Sequence, residues 1–360
     1  MDRILATYRI TAAEAEIRAR AEALAAEQSV EMPVAAIRDP RILDEVVAKV
    51  ESIRPHEGVF EVVLGIAPAT TGNEASQLVN MLFGNCSLQP EVELVDVELP
   101  AGYERAFPGP RFGIQGIRTL TRAQGRPLTC SALKPLGSSA RELAALAATF
   151  ARAGLDVIKD DHGIANQAYA PFAERVPAVQ HAITKANQET GGHTVYAPTF
   201  SGGQRAMAEQ ARIAKECGVN MALVAPMLVG LPSFVEMQVE LDIPVMAHPA
   251  FGGAARIAPP LLLGRMFRLL GADATIFPNH GGRFSYSPET CLAIAERARA
   301  SWHGMRPTLP VPAGGMALER VPEMRATYGD DTMLLIGGGL LSAGEQLPER
   351  ARAFAQAVRG

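Results

Sequence analysis

The sequence predicts an α/β protein in which an N-terminal α+β domain of ferredoxin-like outline precedes a (β/α)8 barrel of the TIM type. Three observations predict it. From Pro127 onward, eight short apolar runs recur, each followed by a helical pattern, which is the rhythm of a closed parallel barrel. No G-x-G-x-x-G follows the first of these runs, so an open dinucleotide-binding sheet is disfavoured. The first hundred residues lack that rhythm and mix strands with helices as a sheet covered on one face does.

Taken in order, RILATYRI (3–10) reads as a strand and the Ala/Glu/Arg-rich stretch 11–27 as a helix. A short strand at 32–37, a helix at 41–53 and a strand at 58–68 follow, then a helix at 73–83 and a strand at 92–100. Residues 101–126, rich in Gly, Pro and Arg, read as a linker. The expected domains are 1–118 and 119–360. The barrel strands are expected at 128–135, 155–161, 193–200, 220–226, 243–249, 272–279, 308–315 and 332–339, with helices such as 140–154 and 347–358 between and after them.

Bulk composition narrows the function. The chain has 360 residues, 48% of them hydrophobic, ample for one large and one smaller core. A net charge of −4 favours neither nucleic acid nor an anionic membrane, leaving a small molecule or a protein as partner. Cys86, Cys130, Cys217 and Cys291 form no CxxC pair and are expected as buried free thiols. No uncharged apolar run approaches the roughly 20 residues of a membrane span. The N-terminal stretch lacks a signal-peptide pattern, so a soluble, cytoplasmic protein is expected.

Barrel chemistry belongs at the C-terminal ends of the strands, and those ends are polar here. Strand one ends in Lys134-Pro135, strand two in Lys159-Asp160-Asp161-His162, strand five in His248, and strand six in Asn279-His280 before Gly281-Gly282-Arg283. Lys159 and Asp161, two apart, share a face of their strand. They suit either an ion pair or a hard divalent cation. A protonated amine cannot ligate, but a lysine carbamylated by CO₂ becomes an anionic oxygen donor. Asp160 points to the other face and reads as structural. Gly314-Gly315 and Gly337-Gly338-Gly339, closing strands seven and eight, read as tight turns or as a phosphate cradle of backbone N–H groups.

These residues resemble the large subunit of ribulose-bisphosphate carboxylase, and more closely its non-carboxylating relatives, the RuBisCO-like proteins. GLDVIKDDHGIANQAYAPFAERV resembles that family's metal-binding strand. The resemblance implies Mg²⁺ held by carbamylated Lys159 and by Asp161, with His162 where the carboxylase has glutamate. His162 would ligate the metal or hydrogen-bond a water on it. LKPLG implies that Lys134 handles the enolisation proton, and HPAFGG places His248 near the substrate. PAGGM and LLIGGGL match the phosphate loops, and Asn279 and Arg283 would add substrate contacts. LFGN and AAEQS imply that Asn85 and Glu27 reach a partner subunit's site, hence a homodimer. FPGPRFGIQGIR (107–118) matches the segment joining the two domains.

The departures are equally informative. The loop after strand six, PNHGGRFSYS, has no lysine; the arginine after the strand-five histidine is Pro249; the second lysine of KPK is absent from KPLG; and Ala313 replaces a serine. Carboxylation of ribulose bisphosphate is therefore not expected, and a monophosphate is. The resemblance implies an Mg²⁺-dependent enzyme that makes an enolate from a small phosphorylated keto compound, with the Lys159 carbamate or Lys134 as the base and His248 or His280 delivering a proton. A 5-methylthioribulose-1-phosphate-type isomerase and a 3-oxo-isoapionate-4-phosphate-type decarboxylase stay open, with a 2,3-diketo-5-methylthiopentyl-1-phosphate enolase behind them. A catalytically silent phosphometabolite-binding paralogue and a Schiff-base aldolase using Lys134 or Lys159 are the readings from other classes.

Overall fold

The computed structural model describes residues 2–360 except 283 and 285. The chain divides into two compact units, Met1–Pro108 with Phe251–Leu262, and Gly109–Ala250 with Leu263–Gly360.

The first unit is built from β1 (Ile4–Ile10), α1 (Ile17–Glu27), β2 (Lys49–His56), β3 (Val59–Ile66), α2 (Ala75–Phe83) and β4 (Val92–Glu98). The strands form an antiparallel sheet in the order β2-β3-β1-β4, the ferredoxin-like arrangement the sequence predicts. On β1, Ile4, Ala6, Tyr8 and Ile10 alternate inward and are all essentially inaccessible, as a half-buried strand requires. The expected strand at 32–37 is instead a 3₁₀ turn, Val34–Ala36, and the expected helix at 41–53 is a π-helical turn, Ile42–Val46, running into β2. The misreading has a cause. β2 is an edge strand with a bulge between Val50 and Ser52 and with Pro55 near its end, so its period-two alternation is broken where edges tolerate it.

The second unit opens with α3 (Gly113–Thr121), inside the stretch expected as a linker and across the expected boundary at 118/119. The Asp273 carboxylate accepts the N–H groups of Phe112 and Gly113, both at 2.7 Å, giving the start of that helix the acceptors it lacks internally. Ile114 and Ile117 then belong to the barrel core. The boundary consequently falls at Pro108/Gly109.

The barrel follows as β5 (Leu128–Leu133), α4 (Ala140–Arg152), β6 (Val157–Asp160), α5 (Phe172–Thr190), β7 (Val195–Ala197), β8 (Thr199–Phe200), α6 (Gln204–Glu216) and β9 (Ala222–Val224). Then come α7 (Pro226–Val229), α8 (Leu231–Leu241), β10 (Val245–Ala247), a π-helical turn (Pro260–Met266) with α9 (Phe267–Leu269), and β11 (Ala274–Pro278). The last elements are α10 (Pro288–Arg299), β12 (Leu309–Ala313), α11 (Val321–Tyr328), β13 (Met333–Leu335), α12 (Gly338–Leu341) and α13 (Leu347–Arg359). Ser139 and Glu142 form a reciprocal capping box at the start of α4, as the S-x-x-E spacing dictates.

All strand pairings are parallel, in the order β7-β6-β5-β13-β12-β11-β10-β9-β8. The two ends of that list are two halves of one strand, because only Pro198 separates β7 from β8. Proline has no N–H for the ladder, so β7 pairs β6, β8 pairs β9, and Leu223 donates to the Pro198 carbonyl at 2.9 Å. Eight strands thus close the ring, at the eight predicted places. Cys130, Val157, Leu223, Met246, Ile276 and Val311 are among the side chains filling its interior. Cys86, Cys130 and Cys291 are buried, Cys217 is half-buried, and all four are free thiols. No helix among the described residues is long and apolar enough to cross a membrane.

Candidate active site

The groups with chemistry collect where β5, β6 and β10 end. Lys159 is the third residue of β6 and lies level with Ala132 on one side and Ala197 on the other. Small neighbours leave its long side chain room, and it is 4% exposed. Burial lowers the pKa of its amine, the direction that favours the neutral form needed for reaction with CO₂. Its Nζ donates to the Asp160 carbonyl at 3.0 Å.

Asp161 leaves the same strand on the same side and is also 4% exposed. Its Oδ2 is ion-paired with Lys134 Nζ, and its Oδ1 accepts the Gly163 N–H at 3.0 Å. Burial by itself would raise this carboxyl. The hydrogen bonds from Lys134 and Gly163 and the Lys159 charge outweigh it, holding Asp161 below the usual carboxylate range. At neutral pH it is an anion facing the charges of Lys134 and Lys159.

His162 Nδ1 lies 3.3 Å from Asp161 Oδ1, and its ring stacks on that of His248, centroids 4.1 Å apart and planes 13° from parallel. His248 accepts the Ala250 N–H on Nδ1 at 3.1 Å, so the proton of a neutral imidazole sits on Nε2. Burial first, then the charge of Lys159, pushes its pKa down to about 2. At neutral pH His248 is an uncharged N–H donor, not an imidazolium acid.

The glycine clusters lie on the neighbouring strand ends. Gly314 and Gly315 both have positive φ (78° and 64°), and a Cβ on Gly315 would collide with the backbone of Gly282. The loops after β11 and β12 therefore touch backbone to backbone, which only glycine permits. Arg320 bridges them, donating from Nη1 to the carbonyls of His280 and Gly315, each at 3.1 Å. Gly337 faces Lys134, whose Cε is 3.9 Å from where a Cβ would stand. Gly338 and Gly339 begin α12, whose first N–H groups have no intrahelical acceptor.

Two expected residues are placed elsewhere. The Asn279 side chain is 1% exposed; its amide meets the sulfurs of Met316 and Met324 at 3.2 and 3.0 Å and accepts the Tyr328 hydroxyl at 2.6 Å. Three of the four hydrogen bonds its side chain can make are thus formed inside the protein. His280 faces Glu323, Nε2 to Oε1 3.9 Å, rather than the Lys134–Asp161 pair. Arg283 lies outside the described residues. In the first unit, Asn85 Nδ2 donates to Glu27 at 2.8 Å and to Glu31 at 2.9 Å.

Sequence reasoning missed Leu136, Arg175, Tyr196 and Thr199. Leu136 is 55% exposed and lies against Gly163, its methyl carbons 3.3 Å from where a Cβ would be. The other three surround Asp160, and a buried aspartate in an apolar strand was itself the signal that a cation and donors had to be nearby.

The family described as "Ribulose bisphosphate carboxylase large chain, catalytic domain" matches residues 113–275. A Rhodopseudomonas palustris protein named ribulose bisphosphate carboxylase-like protein 1 is 54% identical, over 99% of this chain and 98% of its own. The chain belongs to the RuBisCO-like protein family. Another relative of this RuBisCO-like protein, 51% identical over 100% of this chain and 97% of its own, is named 5-methylthioribulose-1-phosphate isomerase, from Rhodospirillum rubrum. The crystal structure of a Rubisco-like protein from Rhodopseudomonas palustris superposes with a TM-score of 0.94 at 49% identity, covering 100% of this chain and 98% of that one.

Proposed function

We propose that this RuBisCO-like protein is an isomerase that enolises a 5-methylthioribulose-1-phosphate-type ketose phosphate and returns the proton at another carbon. The observation that carries the reading is the Lys134–Asp161–Lys159 cluster with neutral His248 at one barrel mouth. Full-length likeness to a protein of that name supports it over decarboxylation of a phosphorylated β-keto acid. The exposed apolar side chain of Leu136, in place of a second lysine, suits a substrate whose far end is a thioether rather than a second phosphate.

The residues present fit Mg²⁺. Among the described residues no three or more His, Cys, Asp or Glu converge as a metal cluster, so the set needs Lys159 as carbamate beside Asp161, with His162 as a third donor. What supports it is that the Asp161 carboxylate already draws one cation, the Lys134 ammonium, to its Oδ2. When bound, the metal supplies charge that stabilises an enolate oxygen.

This chain's own side chains do the rest. Lys134, paired here with Asp161, would as a neutral amine take the proton from the substrate carbon and, as the ammonium so formed, return it at another carbon. His248 donates from Nε2 to the oxygen on which negative charge develops. Backbone N–H groups of Gly314, Gly315 and Gly337–Gly339 would hold the phosphate. A homodimer, with the Asn85–Glu27 pair completing a neighbour's site, belongs to the same reading.

Solvent deuterium exchange tests it. With Mg²⁺ and bicarbonate, 5-methylthioribulose 1-phosphate should gain carbon-bound deuterium and yield an isomeric ketose phosphate. Loss of CO₂ from a phosphorylated β-keto acid, with no exchange into the ketose, would replace the isomerase by a decarboxylase.

A further inference from the structure

Asp160 sits between Lys159 and Asp161 yet points away from both, and it is completely buried together with Arg175. Its carboxylate takes the Tyr196 hydroxyl on Oδ1 at 2.7 Å, and Arg175 Nε at 3.2 Å and the Thr199 N–H at 3.0 Å on Oδ2. Arg175 Nη1 is tied to the Ala170 carbonyl at 2.7 Å and the guanidinium lies over the Phe172 ring, while Nη2 is buried with no hydrogen-bond partner among the described residues. A buried ion pair with an unsatisfied donor is a poor way to gain stability, since apolar side chains of the same volume do as well. What it supplies is direction.

The direction reaches the site through the main chain. The Asp160 carbonyl accepts Lys159 Nζ at 3.0 Å, and the Asp161 carbonyl accepts Thr199 Oγ1 at 3.2 Å. Thr199 therefore holds both residues at once, with its N–H on one and its hydroxyl on the other. Thr199 directly follows the interruption of the strand at Pro198, and its own N–H goes to Asp160.

We infer that Tyr196, Thr199 and Arg175 are positioning residues that, through Asp160, fix how Lys159 and Asp161 leave β6 and so set the site's affinity for a divalent cation. The inference rests on the proposed carbamate–Mg²⁺ reading. Such outer contacts typically account for about 10–100-fold in metal affinity.

Calorimetric titration of Mg²⁺ in bicarbonate, together with thermal melts, tests it on the wild type, Tyr196→Phe, Thr199→Val and Thr199→Ser. Wild type should bind, Tyr196→Phe and Thr199→Val should bind about 10–100-fold more weakly while folded, and Thr199→Ser should keep wild-type affinity. Variants that melt earlier but bind like wild type would make the network merely structural and overturn the inference alone. A wild type that takes up no Mg²⁺ with bicarbonate would overturn the reading beneath it as well.

Discussion

Lys134 is the residue on which the proposed chemistry turns, because it joins Asp161 to the loop of strand eight. Its Nζ sits on Asp161 and its Cε beside Gly337. Replacing it by methionine keeps the bulk and removes the proton carrier. Steady-state kinetics on Lys134→Met should show kcat down by roughly 10²–10⁴-fold, with KM nearly unchanged; a loss confined to KM would make Lys134 a binding group only. Leu136 makes the complementary prediction. Covering a partly exposed leucine with a thioether is worth about 1.5 kcal/mol, or roughly tenfold in KM. Leu136→Lys should raise KM for the methylthio substrate by about that factor and leave kcat in place, whereas an unchanged KM would move the substrate's apolar end elsewhere. Lys134 was legible beside a strand end, and Leu136 only as the position of a missing lysine. Their surroundings were not: that His248 is neutral follows from burial and one backbone N–H, and that Asn279 turns inward follows from two methionines and a tyrosine far along the chain.

At the scale of elements, apolar runs bounded by turn residues located all eight barrel strands, since a strand buried on both faces needs nothing more than continuous hydrophobicity. The same rule failed on β2, whose bulge and edge position relax the pattern, and on α3, whose glycines and arginines look like a linker until Asp273 caps it. Asp160 in an apolar strand signalled that partners had to exist but not which ones, because Arg175 and Tyr196 lie on other elements. The glycine loops, in contrast, could be read directly, and their geometry gives a prediction. Gly315 combines φ of 64° with backbone contact to Gly282, so Gly315→Ala must open the two loops. It should lower stability by about 1–3 kcal/mol in denaturant unfolding and weaken binding of the phosphorylated substrate or of inorganic phosphate. A variant with wild-type phosphate affinity would remove these loops from the substrate site.

For the whole molecule, the barrel explains why residues as distant in sequence as Lys134, Lys159, His248 and Gly337 reach one mouth: each closes a parallel strand, and all eight strands point the same way. Membership of the RuBisCO-like family fits that arrangement, while Pro249, Ala313 and the single lysine of KPLG set this chain apart from a carboxylase. In the proposed site the buried amine of Lys159 would become an anion by taking up CO₂ and, with Asp161, seat Mg²⁺. Carbon-13 NMR of the protein in labelled bicarbonate tests that most directly. A carbamate resonance that persists with Mg²⁺, fades on chelation and is missing from Lys159→Ala is the predicted result. Full Mg²⁺-dependent activity with no such resonance in the wild type would contradict it.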